Sequence, residues 1–158
     1  LTACRPGEAA DAEWEEFDFE DAVWRRPAAK MKARREHVSP LSARAIAVLK
    51  DLQRITGGGR YLFPHRSGKG FTTPNRLTYA MRDMNLGRGT TPHCWRTTFS
   101  TWANENGFRP DAIERQLAHV ESNKVRATYN KALLLDQRRS LLQAWAGYLS
   151  AAEHSGAE

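Results

Sequence analysis

His93-Cys94-Trp95-Arg96 is the densest chemical signal in the sequence. On a helix, positions i and i+3 share a face, so imidazole and guanidinium point the same way. Thr91-Pro92 opens that helix, and its first turn carries free backbone N–H groups that favour an anion. Arg5, ahead of Pro6-Gly7-Glu8, occupies a similar place at another helix start. A guanidinium fork can hold two nonbridging phosphate oxygens, and two forks can clamp one phosphodiester. Glu8, about a turn away, can orient Arg5. Taken singly, each group also fits a plainer role: a capping-type histidine with a solvated arginine, and a surface Arg–Glu pair worth little.

A basic run follows, with Arg25, Arg26, Lys30, Lys32, Arg34 and Arg35 between two candidate strands. Such a hairpin can dip into a DNA groove, and one of its lysines can reach a phosphate or a leaving oxygen. A solvated charged face is the alternative. His119, in Leu117-Ala118-His119-Val120-Glu121, stands among apolar neighbours, as a structural histidine would. Tyr129, in Ala127-Thr128-Tyr129-Asn130, by itself also reads as a core tyrosine.

Other chemistries find little support. The sequence holds no GxxxxGK[ST] phosphate loop, no HExxH and no CxxC, so neither a nucleotide loop nor a zinc site is expected. Cys4 and Cys94 imply no disulfide framework and suit a reducing cytoplasm. The acids concentrate in a first segment that reads as ordinary surface, which leaves no acid pair for a two-metal nuclease. Residues 1 to 21 carry eight acids and one base, so the other 137 residues hold a net +13. A surface that basic attracts polyanions, with an affinity that falls steeply with salt.

The elements that must position these groups are mostly helical. At 158 residues the chain suits one domain with a real core. No apolar run approaches the roughly 18 to 20 residues of a membrane span, and the start does not read as a signal peptide. A short helix is expected from Pro6 to about Glu13. Weak alternation at Phe17-Asp18-Phe19, Ala22-Val23-Trp24 and His37-Val38-Ser39 predicts a small antiparallel sheet. Ser42 caps a helix that ends at Gly57-Gly58-Gly59, and Tyr61 to Pro64 anchors the chain before a polar loop. Further helices are expected from Thr73 to Met84, Thr91 to Asn104, Pro110 to Leu117, Ser122 to Thr128 and Leu133 to Ala151. In the last, Leu134, Leu141, Trp145 and Leu149 form one apolar stripe with Arg138 within or beside it. The expected fold class is therefore mainly α with a small antiparallel β-sheet.

In order along the chain, Arg5, Lys32, His93-x-x-Arg96, His119 and Tyr129 resemble the catalytic set of the tyrosine recombinases, the phage-type integrases. The words around them are similar too. Leu1-Thr2-Ala3-Cys4-Arg5-Pro6-Gly7-Glu8 resembles the stretch around the family's first arginine, and Met31-Lys32 through Val38-Ser39-Pro40-Leu41-Ser42 the hairpin that brings in the lysine. Leu117-Ala118-His119 resembles the family's leucine-glycine-histidine, with Ala118 in the glycine's place. HCWRTTFSTWANE and AHVESNKVRATYN look most like integrases of prophages and genomic islands.

The resemblance implies the integrase catalytic-domain fold over 1–151, without its first helix, and a frayed tail over 152–158. It implies that core-binding and arm-binding domains are absent from this fragment. It implies site-specific recombination through a 3′-phosphotyrosyl link, with Tyr129 as nucleophile and Arg5 and Arg96 on the nonbridging oxygens. His93 and His119 would serve the proton and the phosphate, and Lys32 would protonate the leaving 5′ oxygen, with Lys30 its nearest competitor. The basic side chains Arg25, Arg26, Lys30, Arg34 and Arg35 are expected on DNA. Neither metal nor cofactor is implied. Expected partners are double-stranded attachment-site DNA, three further protomers in the synaptic tetramer of the full-length protein, with a monomer as the alternative for the fragment, and a DNA-bending accessory factor, in a bacterial cytoplasm. The apolar stripe of the last helix would pack on a neighbour or fold back on its own core. A tyrosine topoisomerase and a non-catalytic DNA-binding module are the competing readings.

Overall fold

The computed structural model describes residues 1–84, 90–119 and 134–155. Pro6 opens α1 (Pro6–Ala10), in which Glu8 folds back on the Arg5 backbone N–H at 2.7 Å. Proline lacks the N–H that a helix start leaves unpaired, and the carboxylate satisfies another. A single 3-10 turn (Trp14–Glu16) leads into β1 (Phe17–Asp18), β2 (Val23–Arg26) and β3 (His37–Pro40). The three pair antiparallel in chain order, with Phe17 opposite Trp24 and Arg26 opposite His37. The Phe17 and Trp24 rings stack at 5.2 Å, a cross-strand pair that helps set the register.

Ser42 then caps α2 (Ala43–Thr56), its hydroxyl accepting from the Ala45 N–H at 3.2 Å, and Gly57 ends it. Three further helices are α3 (Pro74–Asp83), α4 (Pro92–Glu105) and α5 (Pro110–Gln116), each with proline at its first turn. The long α6 (Leu134–Ser155) completes the described chain. The helix expected at Ser122 to Thr128 lies outside the described residues.

Two apolar clusters organise these elements. One joins Trp24, Leu41, Ala45 and Leu62 between the sheet, α2 and the Tyr61–Pro64 anchor. The other gathers Phe99, Ala103, Ile113, Leu117, Leu141, Leu142 and Trp145 from α4, α5 and α6. The segment before α1 runs between them, Leu1 and Cys4 packing on the first and Ala3 on the second. Arg5 therefore starts from a backbone held by both cores.

The acidic first segment is not ordinary surface: Glu13 and Glu16 are buried, and with Asp11 they hold Arg26, Lys30 and Arg60. Toward the C-terminus, α6 continues through Ser155. Arg44 of α2 donates to Ser150 and pairs with Glu153, tying down that last turn. His154 stands in the same turn, where a helix end favours positive charge.

The apolar stripe of α6 folds on its own core. Trp145 meets Phe99 edge-on at 5.5 Å and Trp102 at 5.0 Å, and the helix also touches α2, α5 and β3.

Candidate active site

Arg5 and Arg96 are 91 residues apart in the sequence and meet over the C-terminal end of α5. Arg96 projects from the first turns of α4 and is almost fully buried. Its Nη1 donates to the Ala3 carbonyl, its Nη2 to the Leu117 carbonyl at 2.8 Å, and Nη2 also stands 3.5 Å from His119 Nε2. Arg5 Nη2 donates to the next carbonyl, Ala118, at 3.3 Å, while Nη1 pairs with Glu8 at 2.9 Å. Burial, with the neighbouring Arg5 charge second, pulls the Arg96 pKa down from its ordinary value. Each guanidinium keeps N–H groups that these contacts do not use, and an anion can take them.

Two of the three acceptors that aim these arginines, Ala3 and Ala118, lie on strained backbone. Ala3 has φ +52° and Ala118 has φ +50°, both in the left-handed region that costs a side chain about 1–2 kcal/mol. The flip at Ala118 turns the carbonyls of Leu117 and Ala118 toward Arg96 and Arg5. It also swings His119 off the helix path, where its Nδ1 meets Glu114 at 2.6 Å. Strain of this kind persists only where surrounding contacts hold it, and it concentrates at functional sites. Glycine would adopt the conformation without penalty, which gives a physical reason for the Ala118 substitution noted above to matter.

The remaining expected residues are placed less closely. His93 is exposed on the first turn of α4, three residues before Arg96, with no side-chain partner among the described residues. Lys32 is exposed in the connection between β2 and β3. Tyr129 lies outside the described residues. Thus the structure brings Arg5, Arg96 and His119 together, sets His93 on the same helix as Arg96, and holds Lys32 on a separate hairpin.

The basic hairpin divides sharply. Arg26, expected on DNA, is inside: its Nη1 reaches Asp11 at 2.9 Å, the Glu8 carbonyl at 2.9 Å and Glu16 at 3.5 Å, and it lies over the Trp24 ring. Lys30 is likewise engaged, donating to Glu13 at 2.6 Å, Glu16 at 2.5 Å and the Asp11 carbonyl at 3.1 Å. Burial works against the Lys30 charge, but hydrogen bonds to Glu13 and Glu16 outweigh it and raise the pKa. Internal carboxylates thus hold both side chains, where the sequence reading expects Arg26 and Lys30 on DNA. Arg25 pairs with Asp21 at the surface, and Arg34 and Arg35 are exposed.

Several supporting groups had no signal in the sequence. Glu114 precedes His119 by five residues, a spacing that no regular helix turns into a contact; only the reversal at Ala118 does. Gln116 and Arg138 form a buried hub. Gln116 Nε2 donates to the Thr2 carbonyl and Ser39 Oγ, both at 2.8 Å, and Arg138 donates to Gln116 Oε1 at 3.0 Å and the Val38 carbonyl at 2.7 Å. That hub ties together the segment before Arg5, the strand after Lys32, the helix before His119 and the helix after Tyr129.

Residues 1–134 match the phage integrase family. The chain belongs to that family. Among curated relatives of this integrase domain, the prophage integrase IntA of Escherichia coli K12 is 42% identical over 97% of the chain and 37% of its own length. The integrase of Enterobacteria phage P4 is 38% identical over 94% of the chain and 38% of its own length. The integrase chain thus spans well under half the length of these relatives. Solved structures share the fold, a mainly α domain with a small antiparallel sheet. The crystal structure of XerA recombinase superposes with a TM-score of 0.66 at 18% identity, covering 86% of this chain and 51% of that one. The Tn1549 transposon integrase in complex with circular intermediate DNA does so with a TM-score of 0.60, also at 18% identity, over 83% of this chain and 50% of that one.

Proposed function

We propose that this integrase chain supplies the catalytic centre for site-specific recombination of double-stranded DNA, by strand cleavage and rejoining through Tyr129. The observation that carries the reading is the convergence of Arg5, Arg96 and His119 on the end of α5, held by backbone carbonyls at the Ala118 reversal. Two fixed cations and one imidazole facing a common point suit a phosphate better than any neutral substrate.

In the proposed reaction the Tyr129 phenol oxygen attacks the scissile phosphorus, and the bond from phosphorus to the 5′ oxygen breaks. A 3′-phosphotyrosyl link forms, and the departing 5′ oxygen takes a proton from Lys32. Arg5 and Arg96 bind the nonbridging oxygens, whose charge grows in the pentacoordinate transition state. His119, steered by Glu114, donates to the same phosphate, and His93 accepts the phenol proton. A free phenol ionises only near pH 10, so surrounding cations favour the phenolate as its proton leaves. Attack by a second strand's 5′-hydroxyl reverses the step and rejoins the DNA. Four protomers on paired attachment sites, assisted by a DNA-bending factor, would carry out the full exchange on bacterial DNA. On this reading Arg25, Arg34 and Arg35 are the hairpin cations that meet the DNA backbone, a role their exposure supports.

A nicked suicide duplex spanning the junction of the mobile element tests this. Denaturing gels should show a protein–DNA adduct that Tyr129→Phe abolishes and Tyr148→Phe retains. An adduct that survives Tyr129→Phe refutes the assignment. A 5′-bridging phosphorothiolate, whose leaving group needs little protonation, should rescue Lys32→Ala.

A further inference from the structure

Charge pairing sorts the arginines of this molecule into two groups. Arg5, Arg25, Arg26, Arg44, Arg54, Arg60 and Arg109 each have a carboxylate within ion-pair reach. Arg96, which faces the proposed scissile phosphate, has none among the described residues, and its charge awaits an anion. Arg115 and Arg138 share that property, although both are at least half buried. Arg138 spends its donors on Gln116 and Val38 in the hub. Arg115 has no side-chain hydrogen bond or ion pair to any described residue.

Two such guanidiniums within electrostatic reach of each other are costly. Burial, then the Arg115 charge, pulls the Arg138 pKa down to about 10. His37, across the strand from Arg26, is held neutral with a pKa of about 3 by burial, then by Arg138, Arg115, Arg5 and Arg26. Positive charge from Arg5, Arg26, Arg115 and Arg138 therefore acts on this one imidazole. An unpaired cation cluster that is not relieved by protein carboxylates destabilises the fold unless an external anion neutralises it.

We propose that Arg115 is an additional DNA-backbone contact, binding the phosphate that neighbours the one held by Arg5 and Arg96. Its position fits: it lies on the last turn of α5, and its carbonyl accepts the Ala118 N–H at 3.1 Å, within the same reversal that aims the two arginines. Four residues and the reversal at Ala118 separate it from His119. The contact is electrostatic and indifferent to base sequence, so it adds grip and register to the clamp. The proposal rests on the reading of this domain as DNA-binding, but not on the identity of the nucleophile.

The test measures binding of the full chain to a fluorescent nonspecific duplex between 50 and 300 mM salt, with wild type, Arg115→Gln, and Arg109→Gln as a paired-arginine control. Each lost phosphate contact reduces the slope of log K against log salt by about 0.9. Arg115→Gln should show that reduction and bind about tenfold more weakly at the lowest salt, a loss expected for one charge-assisted hydrogen bond. Arg109→Gln should keep the wild-type slope. In DNA-free protein, Arg115→Gln should melt at or above the wild-type temperature, since repulsion of Arg138 is relieved. An unchanged slope for Arg115→Gln overturns the proposal and leaves the recombinase reading intact. Equal losses in both variants overturn it as well, and so does a lowered melting temperature, which would make Arg115 a structural residue. Failure of wild type to bind any duplex would overturn the functional reading with it.

Discussion

Lys30 and Lys32 are two residues apart, yet the structure predicts opposite consequences for losing them. Lys30→Met keeps the aliphatic stem and removes the ammonium that bridges Glu13 and Glu16, which are 3% and 6% exposed. Each lost hydrogen bond to a charged group costs about 1.5–3 kcal/mol. The carboxylates are not stranded, however: Glu13 keeps Arg60 at 2.8 Å, and Glu16 keeps the Trp24 indole N–H at 2.8 Å and Arg26 at 3.5 Å. The low end of the range therefore applies twice, giving about 3 kcal/mol, or a melting point lower by about 6–12 °C for a domain of this size. Acid titration gives a second reading of the same network. Glu13 has its pKa lowered from 4.5 to about 2, first by the Arg60 hydrogen bond and, against the opposing effect of burial, by Lys30. A depressed carboxylate stabilises the fold above its unfolded pKa and loses that contribution as pH falls toward the folded one. Lys30→Met should therefore flatten the loss of stability between pH 4.5 and about 2. Lys32→Met removes an exposed charge and should leave the melting point unchanged while abolishing adduct formation. Thermal denaturation at pH 7 decides: a Lys30→Met protein melting within about 2 °C of the parent, or an equal fall for Lys32→Met, refutes the internal bridge.

Ala118→Gly should raise the unfolding free energy by about 0.5 kcal/mol and the urea midpoint with it, because relief of about 1–2 kcal/mol of left-handed strain exceeds the added entropy of an unfolded glycine; a lower midpoint would mean the methyl group packs usefully. His37→Asn should remove a proton-linked loss of stability as pH falls from 6.5 toward about 3. The folded imidazole resists protonation there, chiefly because of burial, and each pH unit below the unfolded pKa costs about 1.4 kcal/mol. Denaturant titrations at pH 7, 6 and 5 that run parallel for both proteins would contradict that. Trp145→Ala, at the centre of the α4–α6 packing, should destabilise by about 3–5 kcal/mol in a monomer. A loss appearing only with oligomer dissociation would contradict packing within one chain.

The sequence by itself determined the local elements and the chemical inventory. Proline and serine at helix starts, glycine after α2 and short alternating runs place most boundaries, because capping and pleating depend on neighbours a few residues away. The order of Arg5, Lys32, His93, Arg96, His119 and Tyr129 likewise announced a family, since residue types with a common task recur in one order. Tertiary structure alone decided which charges were spent. Arg26, Lys30 and Lys32 read alike in a basic run, but β2 turns Arg26 inward and the following 3-10 turn delivers Lys30 to carboxylates from residues 13 and 16. No local rule reveals that pairing, because it spans ten to seventeen residues and depends on which strand face is covered. The backbone reversal at Ala118 is similarly invisible in composition: it exists because guanidiniums from residues 5 and 96, far away in sequence, hold its carbonyls. Spacing governs what a segment can become, while long-range packing governs which of its charges remain free for a ligand.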